Sequence, residues 1–233
     1  MINSLEKTRL AVFDIDNTLT NTFLVLPVMK SERDSGLLSH QAYDEAAAHL
    51  AALRRKEVDY ETAAHGVLTS HAQGLSGKKY EELKDHAYEF VKSHPEFIRS
   101  FAAKVMELLS TKHELVAVTA EPEYVASAVV AVLGMDRALT SRYAVESGTF
   151  TGDIDVSLAH RDEKRRVIGP MRPDIAFGDS AGDIEMLAHA RSAYCISPDD
   201  ALSREAESQN WAVFNGDQDE EQIIESVRTQ YAS

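Results

Sequence analysis

Asp14 and Asp16 stand two residues apart in Asp14-Ile15-Asp16-Asn17-Thr18-Leu19-Thr20, directly after the apolar run Leu10-Ala11-Val12-Phe13. Side chains at i and i+2 of an extended chain point the same way. The apolar run reads as a buried strand of a parallel sheet. Ligands of open α/β sheets bind just beyond strand C-terminal ends, so both carboxylates are expected in the crevice. Like charges side by side raise the cost of ionising both. A cation relieves that cost, and an oxygen-only site suits Mg²⁺. The plainer alternative is an acidic turn, since Asp and Asn are common where strands end.

Three later segments weigh against that alternative. Leu115-Val116-Ala117-Val118 is a second apolar run and ends in Thr119-Ala120. Ile175-Ala176-Phe177 is a third and ends in Gly178-Asp179-Ser180-Ala181-Gly182-Asp183. Lys164 lies between them in a helical stretch. Taken in order, the four segments resemble the four motifs of the haloacid dehalogenase superfamily, across nearly the whole chain. The first and fourth motifs are specific; a Thr after a strand and a lone Lys carry little by themselves. Phe150-Thr151-Gly152 also resembles the phosphoserine phosphatase-like branch.

The resemblance implies a chemistry and assigns roles. Asp14 would be the nucleophile that attacks the phosphorus of a phosphate ester and forms an aspartyl-phosphate, a sound use of a carboxylate. Asp16 would protonate the leaving alkoxide and then deprotonate the hydrolytic water. Cation-pumping ATPases of the superfamily carry Thr at this second position, and dehalogenases lack the second Asp. Asp16 therefore points to phosphoryl chemistry with turnover. Mg²⁺ would be held by Asp14, Asp179 and the backbone carbonyl of Asp16, with Asp183 supporting the metal shell or orienting Lys164. Thr119, Lys164 and the backbone N–H groups of Asn17 and Thr18 would face the phosphoryl oxygens, where negative charge accumulates. Lys164 stands closer to Asp179 than in phosphoserine phosphatases, which keeps Arg165 or Arg161 open as the cation. Phosphoserine phosphatases also carry a substrate-binding Glu shortly after the first motif. Here Asn21-Thr22-Phe23-Leu24-Val25-Leu26 contains no acid, which argues against phosphoserine.

The fold expected around these residues is α/β. It has a Rossmann-like, doubly wound parallel sheet as core (1–19 and 95–233) and an inserted helical cap (20–94). Phe23 to Met29, interrupted by Pro27, reads as an entry segment. Ser39 and Asp59 can cap two helices, and Ser76 can open a third. Pro95 suits the first position of a helix with Phe97, Phe101, Val105 and Leu108 on one stripe. Glu121-Pro122-Glu123 reads as the opening of a helix through Leu133, closed by Gly134. Residues 138–156 read as two strands turning at Ser147-Gly148. A helix around 162–169, strands at 193–196 and 211–214, and a helix at 220–230 complete the core. Phe23 and Leu24 are the candidates for substrate specificity, and Arg54-Arg55-Lys56 reads as a solvated helix end.

Bulk properties exclude other classes. The 233 residues carry 24 Lys and Arg against 38 Asp and Glu, a net charge of −14. Such a surface disfavours nucleic-acid backbones. No run approaches the ~20 apolar residues of a membrane helix. Met1-Ile2-Asn3-Ser4-Leu5-Glu6-Lys7 lacks a signal peptide's regions. The single cysteine, Cys195, reads as buried packing, and the nine histidines show no zinc spacing. A cytoplasmic location is expected. The expected activity is hydrolysis of a small phosphate monoester with Mg²⁺. The motifs leave open transfer to an alcohol acceptor. A non-catalytic phosphate-binding protein on the same scaffold fits less well, because the site residues are all present.

Overall fold

The computed structural model describes residues 9–231. The first eight residues, including the Met1–Lys7 stretch, lie outside that range. Seven strands form one sheet: β1 (Arg9–Phe13), β2 (His113–Pro122), β3 (Arg137–Glu146), β4 (Thr149–Val156), β5 (Ile175–Gly178), β6 (Ser192–Ile196) and β7 (Ala212–Phe214). Their order is β4-β3-β2-β1-β5-β6-β7. All neighbours are parallel except the β3–β4 hairpin. The doubly wound α/β core expected from the sequence is therefore the one formed. β1 runs through the centre; the chain builds outward from it through β2, β3 and β4, then returns to its other side with β5. That reversal makes the crevice beyond β1 a topological switch point.

The apolar runs are buried on both faces because helices cover both. Ala11 and Phe13 join one core cluster, while Val12 joins the other. Leu115 and Ala117 likewise face opposite to Val116 and Val118. Cys195 is buried in the second cluster, where burial pushes its thiol up to about 12. Ser147 and Gly148 turn the hairpin with φ of 50° and 77°, the left-handed pair such a two-residue turn requires.

Four helices follow β1 before the chain returns to the sheet: α1 (Val25–Asp34), α2 (His40–Arg54), α3 (Tyr60–Gly74) and α4 (Tyr80–Ser93). Ser39 and Asp59 cap α2 and α3, accepting the N–H of Ala42 at 3.1 Å and of Thr62 at 2.8 Å. Other boundaries differ from the sequence reading. Pro27 does not break the segment; it sits in the first turn of α1, where no intrahelical N–H bond is lost. Ser76 does not open α4, because its hydroxyl donates to the Thr151 carbonyl at 3.0 Å, and the helix starts at Tyr80. Pro95 opens only a short 3-10 turn, Pro95–Phe97. Ile98 then bridges to Thr20, and α5 (Ala102–Leu109) starts anew.

On the far side of β2, α6 (Glu123–Leu133) ends at Gly134 with φ 66°. It begins later than expected, since Glu121 and Pro122 still belong to β2. The chain continues through α7 (Arg161–Ile168), α8 (Ile184–His189), α9 (Asp200–Gln209) and α10 (Glu220–Tyr231). α9 lacked an expectation, although Asp199 caps it through the N–H groups of Ala201 and Leu202. Among the described residues no helix is long and apolar enough to cross a membrane.

The inserted helices are tied to the sheet at two places. The α3–α4 link pairs with the β3–β4 hairpin: Gly77 N–H donates to Phe150 O and Phe150 N–H to Lys78 O, both at 2.9 Å. Behind it lies a buried polar network. Glu32 of α1 accepts from Tyr124 of α6 at 2.7 Å and pairs with His71 of α3 at 2.8 Å. Tyr143 of β3 reaches the other His71 nitrogen at 3.2 Å. Polar groups buried without partners are costly. Glu32→Ala removes the acid that Tyr124 and His71 share, leaves those two only each other at 3.0 Å on that side, and opens a void, so it is expected to destabilise by roughly 3 kcal/mol. Urea unfolding reads this as a lower midpoint at unchanged slope; a loss well under about 1 kcal/mol would show that the network does not hold the insertion.

Candidate active site

Beyond Phe13 the chain leaves β1 in a turn wound around one carbonyl. Ile15 O accepts the N–H groups of Thr18, Leu19 and Thr20 at 3.2, 2.9 and 2.9 Å, and the Thr20 hydroxyl at 3.0 Å. Asn17 takes φ 55° to allow it, a conformation Asn adopts more readily than most residues. Arg99 locks the turn by donating twice to Asn17 O, at 3.0 and 2.8 Å. This geometry corrects one expectation. The Asn17 and Thr18 N–H groups donate within the turn, to Thr22 O at 3.4 Å and Ile15 O at 3.2 Å, rather than into the crevice. The Thr18 hydroxyl instead reaches Asp179 at 3.5 Å.

Asp14 is anchored to the next strand, its N–H donating to Phe177 O at 3.0 Å. At the end of that strand, Asp183 folds back under the loop. Its Oδ2 accepts the N–H groups of Asp179 and Ser180 at 3.2 and 3.1 Å and the Ser180 hydroxyl at 3.1 Å. Gly178 admits this approach: a Cβ there would lie 2.5 Å from the Asp183 Cβ.

Lys164 comes in from α7. Its ammonium donates to Asp14 Oδ1 at 3.1 Å and Asp183 Oδ1 at 2.7 Å. Arg165, weighed as an alternative, pairs with Glu185 at the surface. The Arg161 side chain lies outside the described set. Lys164 is thus the cation that meets the strand-end acids. Its own proton is held well above the usual range: burial opposes the charge, but Asp183 and Asp14 outweigh it.

Asp14, Asp179 and Asp183 each offer a carboxylate oxygen within 4.8 Å of the others. Burial pushes the Asp14 carboxyl up; Lys164 pulls it down, and Asp183 and Asp16 push it further up. Burial, then Asp14 and Asp183, raise Asp179, while Lys164 pulls it down. Three acids thus face one ammonium. An all-oxygen set short of positive charge fits a divalent cation such as Mg²⁺.

Two candidates sit elsewhere than expected. Thr119 is fully buried in the bulged stretch of β2, and its hydroxyl oxygen accepts the Glu121 N–H at 3.1 Å. Ala120, beside it, lines the crevice. Leu24, expected with Phe23 to contact substrate, packs wholly into the core; its backbone N–H donates to Asp16 Oδ1 at 2.9 Å. Phe23 does line the crevice, together with Leu53, Asp59, Tyr60 and Glu61 from the α2–α3 tip. The crevice encloses about 530 Å³.

Glu121 was missed by the sequence reading. β2 bulges between Val118 and Pro122, and bulges near active sites re-aim side chains. Here Glu121 turns toward Asp16 and is only 2% exposed. Its Oε1 accepts the first N–H of α1, from Val25, at 2.8 Å. Burial pushes the Glu121 carboxyl up to about 7. Burial, and then Glu121, raise Asp16 well above the carboxylate range. The signal was an acid two residues past Thr119, the same spacing as Asp14 and Asp16. It was read instead as the opening of α6.

Known proteins are similar to this chain in sequence and fold. The haloacid dehalogenase-like hydrolase model matches residues 11–188. A probable phosphatase of Mycobacterium tuberculosis is 23% identical over 219 residues, covering 88% of this chain and 74% of its own. A histidinol-phosphatase of Neisseria meningitidis is 23% identical over 229 residues, covering 88% and 98%. A substrate-bound phosphoserine phosphatase structure superposes with a TM-score of 0.63 at 18% identity, over 95% of this chain and 99% of that one. The family match spans both strand-end acid groups and the lysine between them, and the chain belongs to the haloacid dehalogenase-like hydrolases.

Proposed function

We propose that the protein is a Mg²⁺-dependent phosphatase that hydrolyses a small phosphate monoester through a phosphorylated Asp14. The observation that carries this reading is the Lys164 ammonium bridging Asp14 and Asp183 at the switch point of the sheet. A phosphoryl group entering there meets a nucleophile and a fixed positive charge together. The names of the two relatives, a probable phosphatase and a histidinol-phosphatase, accord with it.

In this reading an Asp14 carboxylate oxygen attacks phosphorus, and the bond from phosphorus to the ester oxygen breaks. Asp16, kept protonated by burial and by Glu121, gives its proton to the departing alkoxide. Water then attacks the phosphorus of the aspartyl-phosphate, and Asp16 takes that water's proton. Inorganic phosphate leaves, and Asp14 is regenerated. Lys164 offsets the phosphoryl charge throughout, held in place by Asp183. Asp14, Asp179 and the Asp16 carbonyl would hold Mg²⁺, with Asp183 behind them, and the ion supplies further positive charge to the phosphoryl oxygens. Residues 20–94 act as the cap and 1–19 with 95–233 as the catalytic core. The α2–α3 tip closes the crevice against water.

A panel of small phosphate monoesters, with p-nitrophenyl phosphate as the activated member, tests this. Release of inorganic phosphate is expected with Mg²⁺, lost on chelation and restored when Mg²⁺ is returned. No release from any member with Mg²⁺ present would overturn the reading.

A further inference from the structure

We infer that the substrate's alcohol carries a short, uncharged hydrocarbon tail, and that an apolar chamber beside Asp16 receives it. This inference rests on the phosphatase reading and names the kind of ester within it. It starts from the way two spaces meet. The crevice and a smaller chamber of about 30 Å³ share five wall residues: Asp16, Phe23, Leu53, Tyr60 and Ala120. Tyr60, the first residue of α3, is 39% exposed there, and its ring stands 6.4 Å from that of Phe23. The shared wall is thus mostly apolar and partly uncovered.

Past the shared residues, the chamber lies between the inserted helices and the β2 bulge. Val25 of α1, Leu50 of α2 and Ala64, Val67 and Leu68 of α3 line it. Asp16 and Glu121 are its acids, and both are engaged: Asp16 Oδ1 accepts the Leu24 N–H and Glu121 Oε1 the Val25 N–H. What a ligand meets in the chamber is therefore hydrocarbon. Protein interiors are close-packed. An apolar group that fills such a space gains contacts and gives up no hydrogen bond. The volume admits about one or two methyl-sized groups.

Position fixes which part of the substrate arrives there. Asp16 delivers its proton to the ester oxygen, so the alcohol begins at the wall that crevice and chamber share. A tail leading away from that oxygen passes Phe23 and Tyr60 into the chamber. Charge then restricts the tail. Lys164 is the cation among the described crevice-lining residues, and the phosphoryl group occupies it. A second anionic group would meet acids. The rim acids are themselves taken: Asp59 caps α3 through the Thr62 N–H, and Glu61 pairs with His160 at 2.8 Å. Neither end of the charge scale is served, and a neutral tail is what remains.

The test measures kcat/KM for n-alkyl phosphates from ethyl to hexyl, whose alcohols are nearly equal as leaving groups. The value is expected to rise about fourfold for each carbon that enters the chamber, and then to stop rising. Ala64→Val adds two methyl groups to the wall and is expected to move the break to a shorter chain. Val67→Ala removes two and is expected to move it to a longer one. A general loss of stability or rate scales every ester alike and does not move the break. The parent series needs no variant to fold. The best ester is then compared with its ω-hydroxy and ω-amino counterparts, in which OH or NH₃⁺ replaces the last methyl. Both are expected to be poorer by about fivefold or more. A flat series in the parent would overturn the inference. So would a break that stays in place in both folded variants, or a preference for the ω-amino ester. Hydrolysis of p-nitrophenyl phosphate with a flat alkyl series would sink this inference alone; no hydrolysis of any ester would sink the phosphatase reading with it.

Discussion

Asp14→Asn is expected to abolish turnover and leave the fold intact. The amide keeps the shape of the carboxyl but has no anionic oxygen to attack phosphorus. Loss of a covalent nucleophile is expected to cost a factor on the order of 10⁴ or more. The backbone anchor from Asp14 N–H to Phe177 O does not depend on the side chain, and Lys164 keeps Asp183. Stability should hold or rise. The Asp14 carboxyl is raised in the folded protein, with burial first among its causes. An acid raised on folding stabilises most below its unfolded value of 3.8 and loses that contribution as pH climbs through the raised one. Removing the charge therefore relieves strain near neutrality when no Mg²⁺ is bound. Phosphate release and thermal unfolding, measured on the same preparation, check both halves. Full activity in a preparation free of contaminating phosphatase would sink the covalent mechanism.

Asp16→Asn should separate the two chemical steps. Asp16 is held by the Leu24 N–H at 2.9 Å, and an amide oxygen can accept that bond. What is lost is a transferable proton. General acid–base groups typically contribute about 10²- to 10⁴-fold. Esters with poor leaving groups should lose rate at the first step, since their alkoxides need the proton. An activated aryl phosphate needs little protonation to depart, so hydrolysis of the intermediate should become limiting. Rapid mixing with p-nitrophenyl phosphate should then show a burst of nitrophenolate, and acid quenching should trap phosphate on the protein. Unchanged steady-state rates on every substrate would show that Asp16 has another role.

The sequence by itself determined what local pattern determines. Residues 10–13, 115–118 and 175–177 are apolar runs too short for helices, and they formed the central strands because both faces of a parallel sheet are buried. Ser39, Asp59 and Gly134 marked helix ends through the unsatisfied backbone groups at those ends. Acids at i and i+2 after a strand announced a crevice. The relative positions of distant segments were settled only by tertiary structure. Lys164, Arg165 and Arg161 are equivalent charges along one helix until α7 docks and brings Lys164 to Asp14 and Asp183. Pro27 looked like a break until the first turn of α1 took it up, where the N–H groups of Leu24 and Val25 turn to Asp16 and Glu121. The Asn17 and Thr18 N–H groups looked free until the chain wound around Ile15. Glu121 looked like a helix opening until a bulge carried it under Asp16. Periodicity records which face of an element is buried; it does not record what a bulge, a cap or a neighbouring strand will bring to meet it.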